Sequence, residues 1–294
     1  MNIWLELLVS GILLGGIYAL PTIGLTLIFG VLRIVNFAHG EFLMVGMYGA
    51  YFLFKIFGLS PYLALVFIPL IMFLFGLIVE RVVVRPTLTR PHMVQIFATL
   101  GLSILMVNLA QVFWTANYLS VKTHLSEINV MVGPVSAGLP RILAFAFAMA
   151  ILSGLYIFLR YSFTGKAIQA TAENVEAARL MGINVNRIYA LTFALGSAIT
   201  GAAGCILIPV YYVYPRIGLD FVVIMFVVAV MGGLGSVPGA LGAGLIIGVV
   251  ETFSGFFIAP AFKQAIYFAA FILVLVFKPA GLFGKRGSET VGVV

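Results

Sequence analysis

The sequence is short of charge. Of 294 residues, 16 are lysine or arginine and 9 are aspartate or glutamate, so charged side chains make up only 9% of the chain. A soluble domain carries about 25%. Too few charges remain to cover a water-facing surface, which excludes an ordinary soluble fold. Alternation is lacking as well: the apolar runs are long and show none of the period-2 segments that a membrane β-barrel requires. Cysteine is limited to Cys205, inside the small-residue run "GAAGC". It forms no internal disulfide and reads as a small packing residue. His39, His92 and His124 fall in three separate loops, which leaves no metal-binding spacing. No cluster of His, Cys, Asp or Glu has catalytic spacing, which argues against a membrane enzyme. A G-x-x-x-x-G-K-[ST] phosphate loop is missing too. Gly165–Lys166 and Gly284–Lys285 lack the preceding glycine and the Ser/Thr, so the chain cannot hydrolyse ATP by itself. The start, "MNIWLELLVS", has no basic region and no early cleavage site, and reads as a membrane helix rather than a removed signal.

What is present is oil. Hydrophobic residues make up 63% of the chain and the mean hydropathy is +1.20. About 20 helical residues cross a bilayer core, and a backbone in lipid must satisfy its own hydrogen bonds, so helices follow. Nine apolar segments fall near 5–32, 41–58, 61–80, 93–115, 140–160, 187–212, 219–232, 239–256 and 264–279. The expected fold is an all-α integral membrane protein, a polytopic bundle of about 8–9 transmembrane helices with short or broken members, forming one domain over 1–294. The seventh segment is too short to span and reads as a half-helix or re-entrant piece. Pro21 lies inside the first segment, where it is expected to kink the helix. Gly11 and Gly15, and Gly244 and Gly248, stand four apart, and Gly196, Ser197, Thr200, Gly201 and Gly204 form a small face on the sixth segment. Such spacing lets membrane helices approach closely.

Basic residues assign the sides. Eleven, among them Arg33, Arg81, Arg85, Arg90, Arg179 and Lys285, fall in one set of loops, and five (Lys55, Lys122, Arg141, Arg216, Lys263) in the other. The richer set belongs in the cytoplasm. The C-terminus is then cytoplasmic and, after nine crossings, the N-terminus periplasmic. Nucleic acid is not an expected partner, because the net charge of +7 is scattered over loops rather than gathered on one face.

Two stretches interrupt the apolar pattern. "FGVLRIVNFAHGEF" (29–42) holds Asn36, His39 and Glu41. Asn36 is placed to cap the following helix, with Glu41 in its first turn, where the dipole favours an anion. The functional alternative is a polar path lined by Asn36, His39 and Glu41. "MGGLGSVPGALGAG" (231–244) carries Gly232, Gly233, Gly235 and Pro238, which no regular helix interior tolerates. The two breaks share a glycine-led rhythm and are expected to flank a central path. Asp220 is expected to cap the short seventh helix at the outer interface.

A third stretch, "AENVEAARLMG" (172–182), lies in a cytoplasmic loop, 161–186. Alanine, glutamate, arginine, leucine and methionine favour a helix starting at Thr164 or Gly165. Gly182 ends it as a C′ residue, with Ile183 beside it, and Asn184 or Asn186 caps the next membrane helix. Ala172, Ala177, Ala178, Leu180 and Met181 are apolar or small with no bilayer to enter. An interfacial helix, packing against the chain's own loops, and a docking helix for a partner all fit this pattern.

"EAARLMG" (176–182) also matches the EAA-and-glycine pattern of ABC importer permeases, in Glu176, Ala177, Ala178 and Gly182. The longer "GKAIQATAENVEAARLMGINVNRI" resembles the coupling loop of branched-chain amino acid permeases. "IVNFAHGEFLMVGMYGAY", "VMGGLGSVPGALGAG" and "KPAGLFG" resemble the same branch, and the likeness runs over nearly the whole chain. The chain departs from the Ile-x-Leu-Pro that follows the glycine in many ABC permeases, reading "IYALTF" instead, so a sugar- or maltose-type fold is not carried over. The resemblance implies a permease subunit of a bacterial inner-membrane importer, with no cofactor of its own. It implies an ATPase-coupling helix at Ala172, Glu173, Glu176, Ala177, Ala178, Arg179, Leu180, Met181 and Gly182. It further implies a second, different permease subunit, two cytoplasmic ATP-binding subunits and a periplasmic substrate-binding protein. A permease of the same branch for urea or short-chain amides, and a stand-alone small-solute channel, are the alternatives.

Overall fold

The computed structural model describes residues 3–132 and 135–284. The expected Lys285 and Arg286 charges lie outside them. Eleven α-helices are described: α1 (Ile3–Leu32), α2 (His39–Phe57), α3 (Pro61–Val79), α4 (His92–Trp114), α5 (Leu139–Tyr161), α6 (Phe163–Glu173), α7 (Val175–Leu180), α8 (Val185–Leu207), α9 (Ile217–Gly232), α10 (Val237–Phe257) and α11 (Lys263–Phe277). Eight are long and apolar enough to cross a membrane, α3 and α11 with their short flanking turns, while α9, at 16 residues, is not. The chain is therefore the polytopic helical membrane protein its composition demands.

α1 and α8 form the centre. Gly11 and Gly15 of α1 lie against α10, where a Cβ on Gly15 would fall 2.5 Å from the Leu245 Cα. On the receiving side, Gly248 leaves space for the Gly11 carbonyl, 2.4 Å from where its own Cβ would stand. Gly196, Gly201 and Gly204 of α8 admit α1, α2 and α3 in the same way. Small residues lose little side-chain entropy and let backbones pack by dispersion, the main attraction available in lipid. Cys205 is buried in this packing. Pro21 does not break α1, which runs through it; Thr22 donates its hydroxyl to the Tyr18 carbonyl at 2.7 Å in the same turn.

Two features were not expected. Two strands, β1 (Asn129–Val132) and β2 (Val135–Gly138), pair antiparallel, with Asn129 opposite Gly138. The predicted cytoplasmic helix is two helices, because Asn174 adopts an extended φ of −151° and ends α6 before α7 begins.

Candidate functional site

The loop between α5 and α8 is built from local rules. The Ser162 hydroxyl accepts from Gly165 N at 2.8 Å and starts α6. The Asn174 side chain accepts from Ala177 N at 2.9 Å and starts α7. Gly182, at φ +81°, stops α7: Gly182 N donates to Arg179 O and Ile183 N to Ala178 O, both at 3.0 Å. That pair is a Schellman motif, which needs the left-handed conformation glycine supplies. The Asn184 side chain then accepts from Arg187 N at 3.2 Å and starts α8. α7 is thus held by capped joints at both ends.

Its faces differ sharply. Ala178 is buried against the protein, whereas Leu180 and Met181 are 89% and 81% exposed. Glu176, Ala177 and Arg179 are exposed beside them; Ala172 is half-buried and Glu173 exposed on α6. Two large apolar side chains thus stand bare at a helix end that carries polar neighbours. A cleft of about 380 Å³ lies behind α7, lined by Val31, Leu32, Arg33, Glu176 and Tyr189 among others. Arg33 has φ +54°, a conformation that strains a non-glycine residue. The cleft lies between the start of α7 and the end of α1.

The break at 33–38 leads from there into the bundle. His39, the first residue of α2, has its Nε2 3.1 Å from the Pro21 carbonyl and 2.7 Å from the Thr200 hydroxyl. A carbonyl only accepts, so the ring proton sits on Nε2; Thr200 accepts from it and donates to Gly196 O at 2.9 Å. Pro21 is 11 residues from the end of α1 and Thr200 is 15 from the start of α8. At about 1.5 Å per residue, α2 starts roughly 16–22 Å inside the bundle. The second residue of α9 is there too: a Cβ on Gly40 would lie 2.0 Å from Gly218 O. The N-termini of α2 and α9 therefore meet in the interior.

Asn36 does not cap α2. Its side-chain oxygen accepts from Ala38 N at 3.1 Å, turning the chain before the helix, and the N-cap position, Ala38, has no side-chain cap. Glu41 is in the first turn as expected and is fully buried. Asp220 does not cap α9 either. The cap position is Arg216, and Asp220 accepts from the Tyr214 hydroxyl. Burial, then the Asp220 carboxylate, push the Tyr214 hydroxyl above its ordinary pKa, so it stays a donor at neutral pH.

Gly232, Gly233 and Gly235 lie elsewhere. Gly233 and Gly235 have φ of +100° and +85°. Gly235 packs on Gly30 near the end of α1, and Leu282 N donates to Met231 O at 2.7 Å. These glycines join α1, α9, α10 and residues 281–284, while Asn36, His39 and Glu41 sit deeper.

Sequence reasoning missed two polar features. Glu80, fully buried at the end of α3, holds Arg85 in a bidentate pair at 3.0 and 2.9 Å across a π turn. Arg85 also donates to Asn186 O at 3.4 Å, tying α3 to the first turn of α8. The second is a polar stripe on α4: Gln95, Thr99 and Ser103 are all buried, four residues apart. The i, i+4, i+8 spacing was legible.

Comparison with known proteins places this architecture. Residues 7–275 match the family described as the permease component of branched-chain amino acid transport systems. The high-affinity branched-chain amino acid transport system permease protein BraD of Pseudomonas aeruginosa is 33% identical over 305 residues, with 98% of each chain covered. The permease protein LivH of the corresponding system in Salmonella typhimurium is 34% identical over 302 residues, again with 98% of each covered. In fold, the chain is similar to PsaBC from Streptococcus pneumoniae, solved in complex with Fab, at a TM-score of 0.50, 14% identity, and 92% and 91% coverage. On the matched span and these relatives, the chain belongs to the family of branched-chain amino acid transport system permease components.

Proposed function

We propose that this chain is the membrane-spanning subunit of an ATP-binding cassette importer that carries branched-chain amino acids across the bacterial inner membrane. The observation that carries the reading is α7, a short capped helix with Leu180 and Met181 bare at its end, in a chain of this family. Residues 161–186 seat on a cytoplasmic ATP-binding subunit, with Leu180 and Met181 filling an apolar groove and Glu173, Glu176 and Arg179 at its rim. Two such subunits, a second permease subunit and a periplasmic substrate-binding protein complete the machine. The C-terminus is then cytoplasmic and the N-terminus periplasmic.

ATP-driven closure of the partners pushes α7. The Schellman joint at Gly182 and the Asn184 cap pass the push to α8 without slack. The packing of α6 against α1 passes it to α1 and, through 33–38, to the start of α2. Asn36, His39 and Glu41 line the path, and Gly232, Gly233 and Gly235 form the joint where α9 and α10 rock against α1. Co-purification tests the reading. The tagged protein is expected to bring down an ATP-binding subunit and a second permease. Leu180→Glu with Met181→Glu abolishes capture of the ATP-binding subunit while the second permease still follows. A chain that purifies alone and takes up solute without an ATPase would be a channel, and the reading falls.

A further inference from the structure

The interior start of α2 is lined on one side by α4, and the groups there are mismatched. Thr99 of α4 reaches the Val35 carbonyl at 3.3 Å. One turn further, Ser103 presents its hydroxyl to the Glu41 carboxylate, outside hydrogen-bond geometry. One turn back, Gln95 donates through Nε2 to Thr87 O and Arg90 O, both at 3.2 Å, which fixes its amide orientation and leaves Oε1 facing away from them. A seam results on α4, running from Gln95 past Thr99 to Ser103 beside Glu41. Ser103 is 11 residues into α4, so the seam reaches about 16 Å along that helix.

Both Glu41 oxygens and Gln95 Oε1 are buried without a hydrogen-bond partner, and so is Asn36 Nδ2. Glu41 has no exposed surface and Gln95 is 6% exposed. The side chains thus offer three unfilled acceptors and one unfilled donor. Buried polar groups are almost always satisfied, so an acceptor-rich seam calls for a donor-rich occupant. Ionisable groups inside a membrane bundle mark a solute path by default. Outside this stripe most of the α4 surface carries no protein cover.

We propose that the α2–α4 seam is an ammonium-recognising station on the solute path, with Glu41 accepting from the amino group and Ser103 beside it. The proposal rests on the permease reading and adds the chemical group that the path selects. It also adds α4 to the path.

A thiol placed in the seam tests it. Cys205→Ala removes the one native thiol, and Ser103→Cys puts a single thiol next to Glu41. The complete transporter is reconstituted in vesicles with its ATP-binding subunits and binding protein, and ATP-driven leucine uptake is recorded. The vesicles are then treated during turnover with 2-aminoethyl methanethiosulfonate, which is cationic, or 2-sulfonatoethyl methanethiosulfonate, which is anionic. Rates are normalised to those with free cysteine. The cationic reagent is expected to react at least about tenfold faster, the effect of about 1.4 kcal/mol of charge preference. Glu41→Gln in the same background is expected to bring the normalised ratio back to about one. Equal rates, or no reaction with either reagent while uptake proceeds, overturn the ammonium station and leave the permease reading standing. Absence of ATP-driven uptake in the unsubstituted, reconstituted transporter overturns the permease reading itself, and the station with it.

Discussion

α1 and α4 are equally oily and differently used. Their most apolar stretches have mean hydropathies of 2.0 and 1.9, yet 89% of the first is buried in the protein and 28% of the second. Hydropathy reports the medium and not the neighbour. What separates them is side-chain size along one face. α1 and α8 carry glycines whose missing Cβ is occupied by another helix. Gly101 of α4 and Gly154 of α5 have nothing within 4 Å of where a Cβ would stand. In lipid a glycine therefore stabilises only where a second backbone comes to meet it.

The contrast is broken most severely at the meeting of α2 and α9. Gly40→Ala puts a methyl 2.0 Å from the Gly218 carbonyl, a backbone atom that cannot rotate away. Overpacking of this kind costs about 1–3 kcal/mol, and here the upper end is expected. A thermal scan of the detergent-solubilised protein should show a clear fall in midpoint. An unchanged midpoint would mean that the two helix starts do not touch.

The next effect is expected at the end of α3. Arg85→Met leaves Glu80 buried without its counter-ion. Removing one member of a buried pair costs about 3–5 kcal/mol, and since the Arg85 side chain is 38% exposed a value of about 2 is expected. Arg85→Lys should recover only part of it, because lysine lacks the two-pronged fit. Equal loss in both variants would assign the effect to packing rather than to charge. Smaller again is Thr200→Val, which keeps shape but removes one acceptor from His39 while Pro21 O remains. About 1 kcal/mol is expected in the same scan. A loss as large as that from Gly40→Ala would show that the hydrogen bond, and not close approach, holds α2 in place.

The parts legible in the sequence were those set by local chemistry. The helices fall within a few residues of the nine apolar segments, and the short seventh is α9. Gly182 and Ile183 act as the Schellman rule requires, and Asn184 caps α8. Other features depended on partners distant in sequence. Asn174 sits among helix formers, and its side-chain bond to Ala177 N splits the expected helix. Glu80 and Arg85 are five apart, a spacing that brings side chains together only across a π turn and not on an ordinary helix. The deep start of α2 is set by Pro21, Thr200 and Gly218, all on other helices. The pairing of β1 with β2 is a different case. "NVMVGPVSAG" carries two β-branched runs around Gly-Pro, a strand signal present in the sequence itself.

The mildest substitution is the most discriminating test of the contrast between centre and rim. Gly101→Ala and Gly154→Ala add a methyl to helix interiors that no other element approaches. Alanine is better than glycine in a helix by about 0.8–1.0 kcal/mol in water. On a face that meets only lipid nothing opposes this gain, so the midpoint should hold or rise. The sign carries the information. At Gly40 the same methyl meets a carbonyl and must destabilise; at Gly101 it meets open space. Gly101 and Gly154 also report on the assembled transporter. If either change is neutral in the isolated chain but lowers the yield of the complex with the second permease, that face of α4 or α5 is covered by the partner and not by lipid. If both are neutral in both settings, the partner binds elsewhere on the rim, and α11, bare along most of its length, becomes the surface to test next.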